Sequence, residues 1–295
     1  MEVAITIPYS AEKDDLYCPA KHAVFFPNGR PHSDAALCVE LARVAYCQLE
    51  TSFAFDQDRI RKILARIQFT DCKFFETATQ PNGGGSHALL ALDEKNKLAV
   101  LAFRGTDRDD PTDLMDDLSA YPQSWQAGGK AHSGFAKALL DVWLQVNAAL
   151  PPVGDYLLLL TGHSLGAAMA TLASSLRTPK ALYTFGSPRV GDQAFVSLLK
   201  NLDNFRYVDC CDLVARVPPE GVFGYAHIPG NLYYIDFERA VKSRAPDDPY
   251  IALDQEKADE DYLKNYAWRI GDVALRALAD HAPVNYVWPV TAATP

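Results

Sequence analysis

A serine between two glycines is the most chemically informative feature of this sequence. The segment Gly162-His163-Ser164-Leu165-Gly166 has the G-x-S-x-G spacing. The apolar run before it predicts a buried strand and the alanine-rich run after it predicts a helix, so the serine occupies the sharp turn between them. A hydroxyl presented on such a turn can attack a carbonyl carbon. We therefore identify Ser164 as the candidate nucleophile, against the plainer interpretation of an ordinary turn serine.

A serine hydroxyl needs a base that accepts its proton, and histidine is the usual one. On a strand–turn–helix scaffold the groups follow in the chain order Ser, Asp or Glu, His, so the base must come after Ser164. Of the seven histidines, only His227 and His281 do so. His281 lies in a predicted loop after a helix, whereas His227 comes close behind the candidate acids. Position therefore favours His281 and leaves His227 as the alternative.

The acid that orients the base is expected at the end of a strand that follows the nucleophile. Residues 205–208 predict such a strand, and Asp209 and Asp212 come directly after it. Each could also be a turn carboxylate that caps backbone N–H groups. The residues alone do not separate these two candidates.

Six separated segments resemble the class 3 lipase family, the fungal-lipase-like branch of the α/β-hydrolases. They occur in the order typical of that family, over about residues 95–285, and they are 101–106, 132–135, 162–166, 184–191, 212–219 and 280–281. Together they are far more specific than the G-x-S-x-G spacing. One departure is Ala215, where the family usually has proline.

The resemblance implies a fold and a set of site residues. The fold is that of an α/β-hydrolase, with a central, mostly parallel sheet, antiparallel N-terminal strands and helices on both faces. The implied site consists of the triad Ser164, Asp212 and His281 and the oxyanion-hole residues Thr106 and Leu165. This favours Asp212 over Asp209. The physical interpretation of Leu165 agrees, because an N–H at a helix N-terminus favours developing negative charge.

The implied activity is hydrolysis of a carboxylic ester, such as an acylglycerol, through an acyl-enzyme. The alternatives are a phospholipase, a feruloyl-type esterase, or a lipase-like binding protein that has lost catalysis. The expected partner is a small ester or lipid substrate, with transient contact to a lipid interface. We expect neither a cofactor nor a metal, because no C-x-x-C or His/Cys spacing predicts one.

Hydrophobic periodicity predicts the elements that must position these groups. Two helices are expected to begin at the caps Ser33, running to about Glu50, and Asp56. Three strands near 72–79, 87–93 and 97–103 are separated by turn residues, a pattern typical of an antiparallel meander.

The second half of the chain has a different pattern. From Phe135 onward helices and strands alternate, which indicates a parallel sheet with crossover helices. Residues 238–260 are polar and contain proline, so we expect an irregular surface segment there, before a last helix that ends near Ala279. No linker or repeat divides the sequence, and we interpret residues 1–295 as one domain.

Residues 107–128 follow the oxyanion segment, and in lipases of this family that position is a lid. The resemblance therefore makes this segment a lid, against the alternative of an amphipathic packing segment. It carries six aspartates among its apolar residues. We expect these charges to weaken docking to anionic interfaces, and so to give little interfacial activation and a preference for soluble or short-to-medium-chain esters.

The overall composition disfavours some classes of binding partner and predicts the cellular location. The net charge of −9 disfavours nucleic acid and anionic bilayers as partners. The first ten residues lack a basic leader with an apolar stretch after it, and no apolar run reaches the length of a membrane span. These features favour the cytoplasm, and the six cysteines are accordingly expected to be reduced thiols.

Overall fold

The computed structural model describes residues 5–19, 24–49, 52–77, 85–105, 121–221, 223–230 and 232–293. The strands in these ranges are β1 Asp71–Glu76, β2 His87–Asp93, β3 Leu98–Phe103, β4 Pro122–Ser124, β5 Lys130–His132, β6 Leu157–His163, β7 Ala181–Phe185, β8 Gly191–Asp192, β9 Asn204–Asp209, β10 Tyr225–Ala226, β11 Leu232–Ile235 and β12 Val241–Arg244. The helices are α1 Lys13–Tyr17, α2 Asp34–Val44, α3 Gln57–Arg66, α4 Ser133–Ala149, α5 Leu165–Leu176, α6 Gln193–Leu198, α7 Pro249–Asn265, α8 Arg276–Ala279 and α9 Pro283–Ala293.

Eight of the described strands form one sheet, in the order β1-β2-β3-β6-β7-β9-β11-β12. The strands β1, β2 and β3 pair in antiparallel fashion, the run from β3 to β11 is parallel, and β12 returns antiparallel at the far edge. The strands β10, β8, β5 and β4 form a smaller second sheet. The prediction of a mostly parallel sheet with antiparallel N-terminal strands is confirmed.

The central strands are apolar along their whole length because helices cover both faces of the sheet. Every residue of β2 and β3 is buried, and β6 is buried from Leu158 onward. Leu159 packs into the core on the face that α2 and α9 cover. Leu160, the next residue, packs into the opposite core, beneath α4 and α5. Within the described ranges, no helix is long and apolar enough to cross a bilayer.

Both predicted N-terminal helix caps are present. The Ser33 hydroxyl accepts a hydrogen bond from the Ala36 N–H, and the Asp56 carboxylate accepts one from the Arg59 N–H. The helix α2 ends at Val44, before the predicted boundary near Glu50.

The prediction for residues 238–260 is wrong. This segment contains β12 and the first twelve residues of the 17-residue helix α7. Pro249 is the first helical residue, where the missing N–H has no partner to lose, and Asp248 caps the helix through the Tyr250 N–H. The proline therefore starts a helix instead of preventing one. The chain also continues beyond Ala279 into a further helix, α9.

Candidate active site

Ser164 lies on the turn between β6 and α5 in a sterically strained conformation, with φ 58° and ψ −128°. A Cβ atom on Gly162 would lie 2.3 Å from the Gly166 backbone, and one on Gly166 would lie 2.1 Å from the Phe103 carbonyl oxygen. Only glycine fits at either position without a backbone shift. The two glycines therefore allow α5 to start directly against the sheet, which holds Ser164 at the carboxyl end of β6.

His281 and Asp212 form the central contact of the site. The His281 Nδ1 atom lies 2.9 Å from Asp212 Oδ2 and 3.0 Å from Oδ1, and both side chains are buried. The same carboxylate accepts hydrogen bonds from the Tyr286 hydroxyl, at 2.5 Å, and from the Val214 N–H, at 2.8 Å. These contacts make Nδ1 the protonated nitrogen of the His281 ring and leave the lone pair on Nε2.

The Asp212 carboxylate is stabilised in its ionised form. Burial by itself raises the pKa of Asp212, but the charge of His281 and hydrogen bonds from His281 and Tyr286 outweigh it and hold the pKa below its ordinary value. Gly186 gives the pair room: it has φ 57°, and a Cβ there would lie 2.6 Å from Asp212 Oδ2 and 2.9 Å from His281 Nδ1.

The Ser164 turn and the His281–Asp212 pair adjoin at the end of β7. The Ser164 N–H donates to the Phe185 carbonyl at 3.1 Å, and Gly186, the next residue, borders both members of the pair. The ring of His163 lies 4.5 Å from that of His281. Among the described residues, the His281 Nε2 atom is buried without a hydrogen-bond partner. Hydrogen bonds between a nucleophile and its base are often long until substrate binds.

His163 supports the base and does not act as one. Its Nε2 atom lies 2.8 Å from the His281 carbonyl oxygen, so we assign the proton to Nε2, and its Nδ1 accepts from the Tyr46 hydroxyl at 2.8 Å. Burial, together with the charge of His281, holds the pKa of His163 well below its ordinary value. The ring is therefore neutral, and it ties the His281 backbone to the β6 strand.

The structure separates the two alternatives that the sequence left open. The His227 Nε2–H donates to the Ala215 carbonyl oxygen at 2.8 Å, and burial and the charge of Arg206 hold the pKa of His227 well below its ordinary value. Asp209 is paired with Arg239, whose Nη1 lies 2.7 and 2.8 Å from its two carboxylate oxygens. Neither residue makes a described hydrogen bond to His281.

Of the two candidate oxyanion-hole residues, one is described. Leu165 is the first residue of α5, where N–H groups have no partner within the helix and the helix dipole favours negative charge. Thr106 lies outside the described residues. The chain that leads to it is tightly packed, because a Cβ on Gly105 would lie 2.0 Å from the Tyr46 hydroxyl oxygen.

One cluster beside the site has the composition of a metal centre. The Cys210 and Cys211 sulfurs and an Asp280 carboxylate oxygen lie within 4.8 Å of one another. However, Asp280 Oδ2 already accepts from the Arg276 Nε, at 3.1 Å, and from the Cys211 N–H, at 2.9 Å. A guanidinium at this distance repels a cation. We interpret the cluster as a buried, charge-paired support for the loop that carries Asp212.

Comparison with known proteins finds similarity to lipases. Residues 100–222 match the family model for class 3 lipases. The chain is 33% identical over 153 residues to secreted mono- and diacylglycerol lipase 1 of Fusarium solani, an alignment that covers 48% of this chain and 46% of that protein. It is 34% identical over 154 residues to a lipase of Rhizopus niveus, and this alignment covers 45% of this chain and 38% of that protein. These matches make the chain similar to class 3 lipases over part of its length. It spans about half, or less, of the length of the curated relatives it matches.

Solved structures of lipases share the fold of this chain. Lipase II of Rhizopus niveus superposes with a TM-score of 0.54 at 26% identity, over 75% of this chain and 89% of that one. A triacylglycerol lipase whose catalytic centre is described as a serine protease triad gives a TM-score of 0.55 at 23% identity, over 75% and 91% of the two chains. The α/β-hydrolase fold expected from the sequence is therefore confirmed.

The expected cytoplasmic location is contradicted by these relatives. The Fusarium solani protein is named a secreted lipase, and so is a Malassezia globosa protein that is 34% identical over 157 residues, or 46% of this chain and 51% of that protein. The expectation failed because the composition of a folded domain does not record the compartment in which the protein acts.

The segment expected to form a lid is described only in its last part. Residues 106–120 lie outside the described ranges. Trp125 belongs to the core beneath α4 and α5, and its indole N–H donates to the Ser175 hydroxyl at 2.8 Å. Tyr121 is 71% exposed, and its ring lies 5.1 Å from that of Phe223. Trp125 is thus anchored on α5, and the lid over residues 107–128 stays a prediction.

The sequence interpretation missed two tyrosines that support the candidate site. Tyr286 bonds Asp212, and Tyr46 bonds His163. Neither lies in one of the recognised segments. Tyr286 comes five residues after His281, on the first turn of α9, where a phenol with a buried polar partner is a recognisable signal once the helix is known.

Proposed function

We propose that this chain, as one domain, is a serine carboxylic-ester hydrolase in which Ser164 is the nucleophile, His281 the general base and Asp212 the acid that orients it. Thr106 and Leu165 form the oxyanion hole. The observation that carries the proposal is the buried His281–Asp212 hydrogen bond next to the strained Ser164 turn. This arrangement has the charge and the hydrogen-bond order that acyl transfer requires.

The reaction proceeds in two halves. His281 Nε2 takes the Ser164 proton while the hydroxyl oxygen attacks the ester carbonyl, and Asp212 stabilises the imidazolium that forms. The Leu165 N–H and Thr106 hold the negative oxygen of the tetrahedral intermediate. His281 then gives its proton to the departing alcohol. Water, activated by the same imidazole, attacks the acyl-serine, and release of the acid restores the free hydroxyl.

The substrate class follows from the relatives. They are named lipases, and two of them are named mono- and diacylglycerol lipases. We therefore place acylglycerols first among the esters this enzyme hydrolyses, and we place the enzyme outside the cell. We keep the expectation that its acidic composition limits interfacial activation. A steep rise in turnover as a substrate passes from monomer to micelle would contradict that expectation.

Covalent labelling tests the nucleophile directly. A fluorophosphonate probe should label the wild-type protein at Ser164 and leave Ser164→Ala unlabelled, and the variant should lose about 10⁶-fold in turnover of p-nitrophenyl esters. The matched control is Ser174→Ala on the same helix, whose buried hydroxyl bonds the Ala170 carbonyl. Retained turnover in purified Ser164→Ala protein would remove the assignment. A phospholipid or a feruloyl ester preferred over acylglycerols would move the substrate class to one of the two alternatives.

A further inference from the structure

A buried cation lies inside the sheet without an acidic partner. Arg206, in the middle of β9, is only 6% exposed. Within the described ranges, its guanidinium takes part in no hydrogen bond and no ion pair. Burial, with a smaller contribution from the charge of Arg189, lowers the pKa of Arg206 to about 10. A buried charge without compensation is costly, so native structures pair almost all of them.

A second unpaired donor faces the same place. Thr184 on β7 is the direct register partner of Arg206, so the two side chains leave the sheet on the same face. Thr184 is buried, and no hydrogen bond among the described residues involves its hydroxyl. The two side chains border a hollow of about 10 Å³. That volume suits one water molecule or one ion of similar size.

The other groups around this hollow offer little negative charge. His227, which also lines it, is held neutral. The hydroxyls of Thr171 and Ser187 donate to the carbonyls of Ala167 and Pro188. Glu220 lies 3.8 Å from Arg189, but its side chain is 85% exposed, and no described acidic residue contributes to the pKa shift of Arg206. The hollow is therefore a positive spot inside a chain whose net charge is −9.

We infer that the hollow between Arg206 and Thr184 binds one monovalent anion of about the size of chloride. The guanidinium supplies the charge and N–H donors, and the Thr184 hydroxyl supplies a further donor from the neighbouring strand. The site lies on the face of the sheet that α5 covers, since Thr171 of α5 lines it, and nothing in the proposed function depends on it.

Halide-dependent thermal stability gives the first test. Raising chloride from 1 to 100 mM, with sodium methanesulfonate keeping the ionic strength constant, should raise the Tm of the wild-type protein by about 3 °C. Arg206→Gln should abolish this increase, and Thr184→Val should weaken the apparent chloride affinity several-fold. Arg66→Gln, which removes an exposed arginine, is the matched control and should respond like the wild type. An unchanged Tm in the wild type, or an equal increase in Arg206→Gln, would overturn the inference.

Bromide gives a second test that does not depend on stability. Crystals of the wild-type protein soaked in sodium bromide should show an anomalous peak within hydrogen-bonding distance of the Arg206 guanidinium and the Thr184 hydroxyl. The peak should be absent from Thr184→Val crystals or strongly reduced in them. A water molecule at this position, without anomalous signal in the wild type, would show that solvent alone fills the hollow.

Discussion

The two sides of the His281 ring differ in how completely their polar atoms are paired. On the Nδ1 side, Asp212 binds the ring, Tyr286 binds Asp212, and His163 binds the His281 carbonyl. On the Nε2 side, the described residues provide no hydrogen bond to the ring nitrogen. The Ser164 hydroxyl and the Leu165 N–H, which are expected on this side, likewise have no described hydrogen-bond partner.

This difference separates the groups that position the His281 ring from the groups that would contact the substrate in the proposed reaction. The paired side fixes the ring's position, tautomer and charge before substrate arrives, which is the preorganisation that acyl transfer needs. The unpaired side keeps its donors and its lone pair available for the substrate carbonyl and the serine proton. Changes on the paired side should therefore act through orientation, and their size should fall with distance from His281.

The largest effect on the paired side is expected for Asp212→Asn. The amide retains the shape of the carboxylate but presents a donor to Nδ1, which favours the wrong tautomer, so turnover should fall about 10⁴-fold. Ester-hydrolysis kinetics will measure this, with the fold checked by circular dichroism. Asp209→Asn, which changes the neighbouring carboxylate paired with Arg239, is the comparison: an equal loss there would show that the acid has been assigned wrongly.

Acid should destabilise the folded protein because three of its histidines, His87, His163 and His227, are buried in the neutral form. Burial and neighbouring charges lower the pKa of His87 to about 3, and the pKa values of His163 and His227 lie well below their ordinary value. These groups take up protons near pH 6.5 only in the unfolded chain, so stability present above that pH is lost as the pH falls toward the folded-state pKa values.

From pH 7.0 to 5.5, this loss should amount to about 3–4 kcal/mol in the free energy of unfolding. Urea unfolding at the two pH values measures it. His87→Gln should reduce the loss by about one third, since one of the three buried histidines is then removed. A free energy of unfolding that does not change over this interval would show that the histidines are protonated in the folded protein.

A smaller effect is expected for Tyr286→Phe. The carboxylate keeps its bonds to His281 and Val214 but loses the phenol donor, so kcat should fall about 10-fold with KM unchanged. Tyr262→Phe is a matched control, because that buried hydroxyl bonds the Val273 carbonyl away from the site. If both variants lose kcat equally, the hydroxyl of Tyr286 serves the general structure and not the orientation of Asp212.

The smallest effect is expected for Tyr46→Phe, because its hydroxyl bonds His163, which in turn bonds the His281 backbone. His163 Nδ1 then loses its donor, which should cost about 1 kcal/mol of stability while kcat stays within about 3-fold of the wild type. Thermal unfolding and kinetics on the same samples measure both quantities. A large loss of kcat with unchanged stability would place Tyr46 closer to catalysis than the structure indicates.

The sequence predicted the unpaired side of the site better than the paired side. Gly162, Ser164 and Gly166 form one local motif whose geometry is determined by residues that are close together in the chain. The Asp212–His281 contact joins residues that are 69 positions apart in the chain. No local pattern connects such residues, so only their order in the chain narrows the choice of acid and base. Asp209 is instead paired with Arg239, which lies 30 residues further along the chain, so its pairing is equally invisible to local patterns.

The remaining errors have local physical causes. The helix α7 was missed because Pro249 breaks a helix at interior positions but starts one at the first position. Tyr286 and Tyr46 act through tertiary contacts, and no sequence spacing near the motifs points to them. Arg206 was not singled out because its unusual state, burial without a partner, exists only in the folded sheet.

The outermost strands of the central sheet have a consequence for the behaviour of the protein at high concentration. An open sheet edge invites a second molecule to add a strand. Here β1 carries Asp71 and Lys73 on its exposed positions, and β12 is four residues long with exposed Lys242. These charges would have to lose water for two edges to join. We therefore expect concentrated solutions to stay free of fibrils and of edge-joined aggregates.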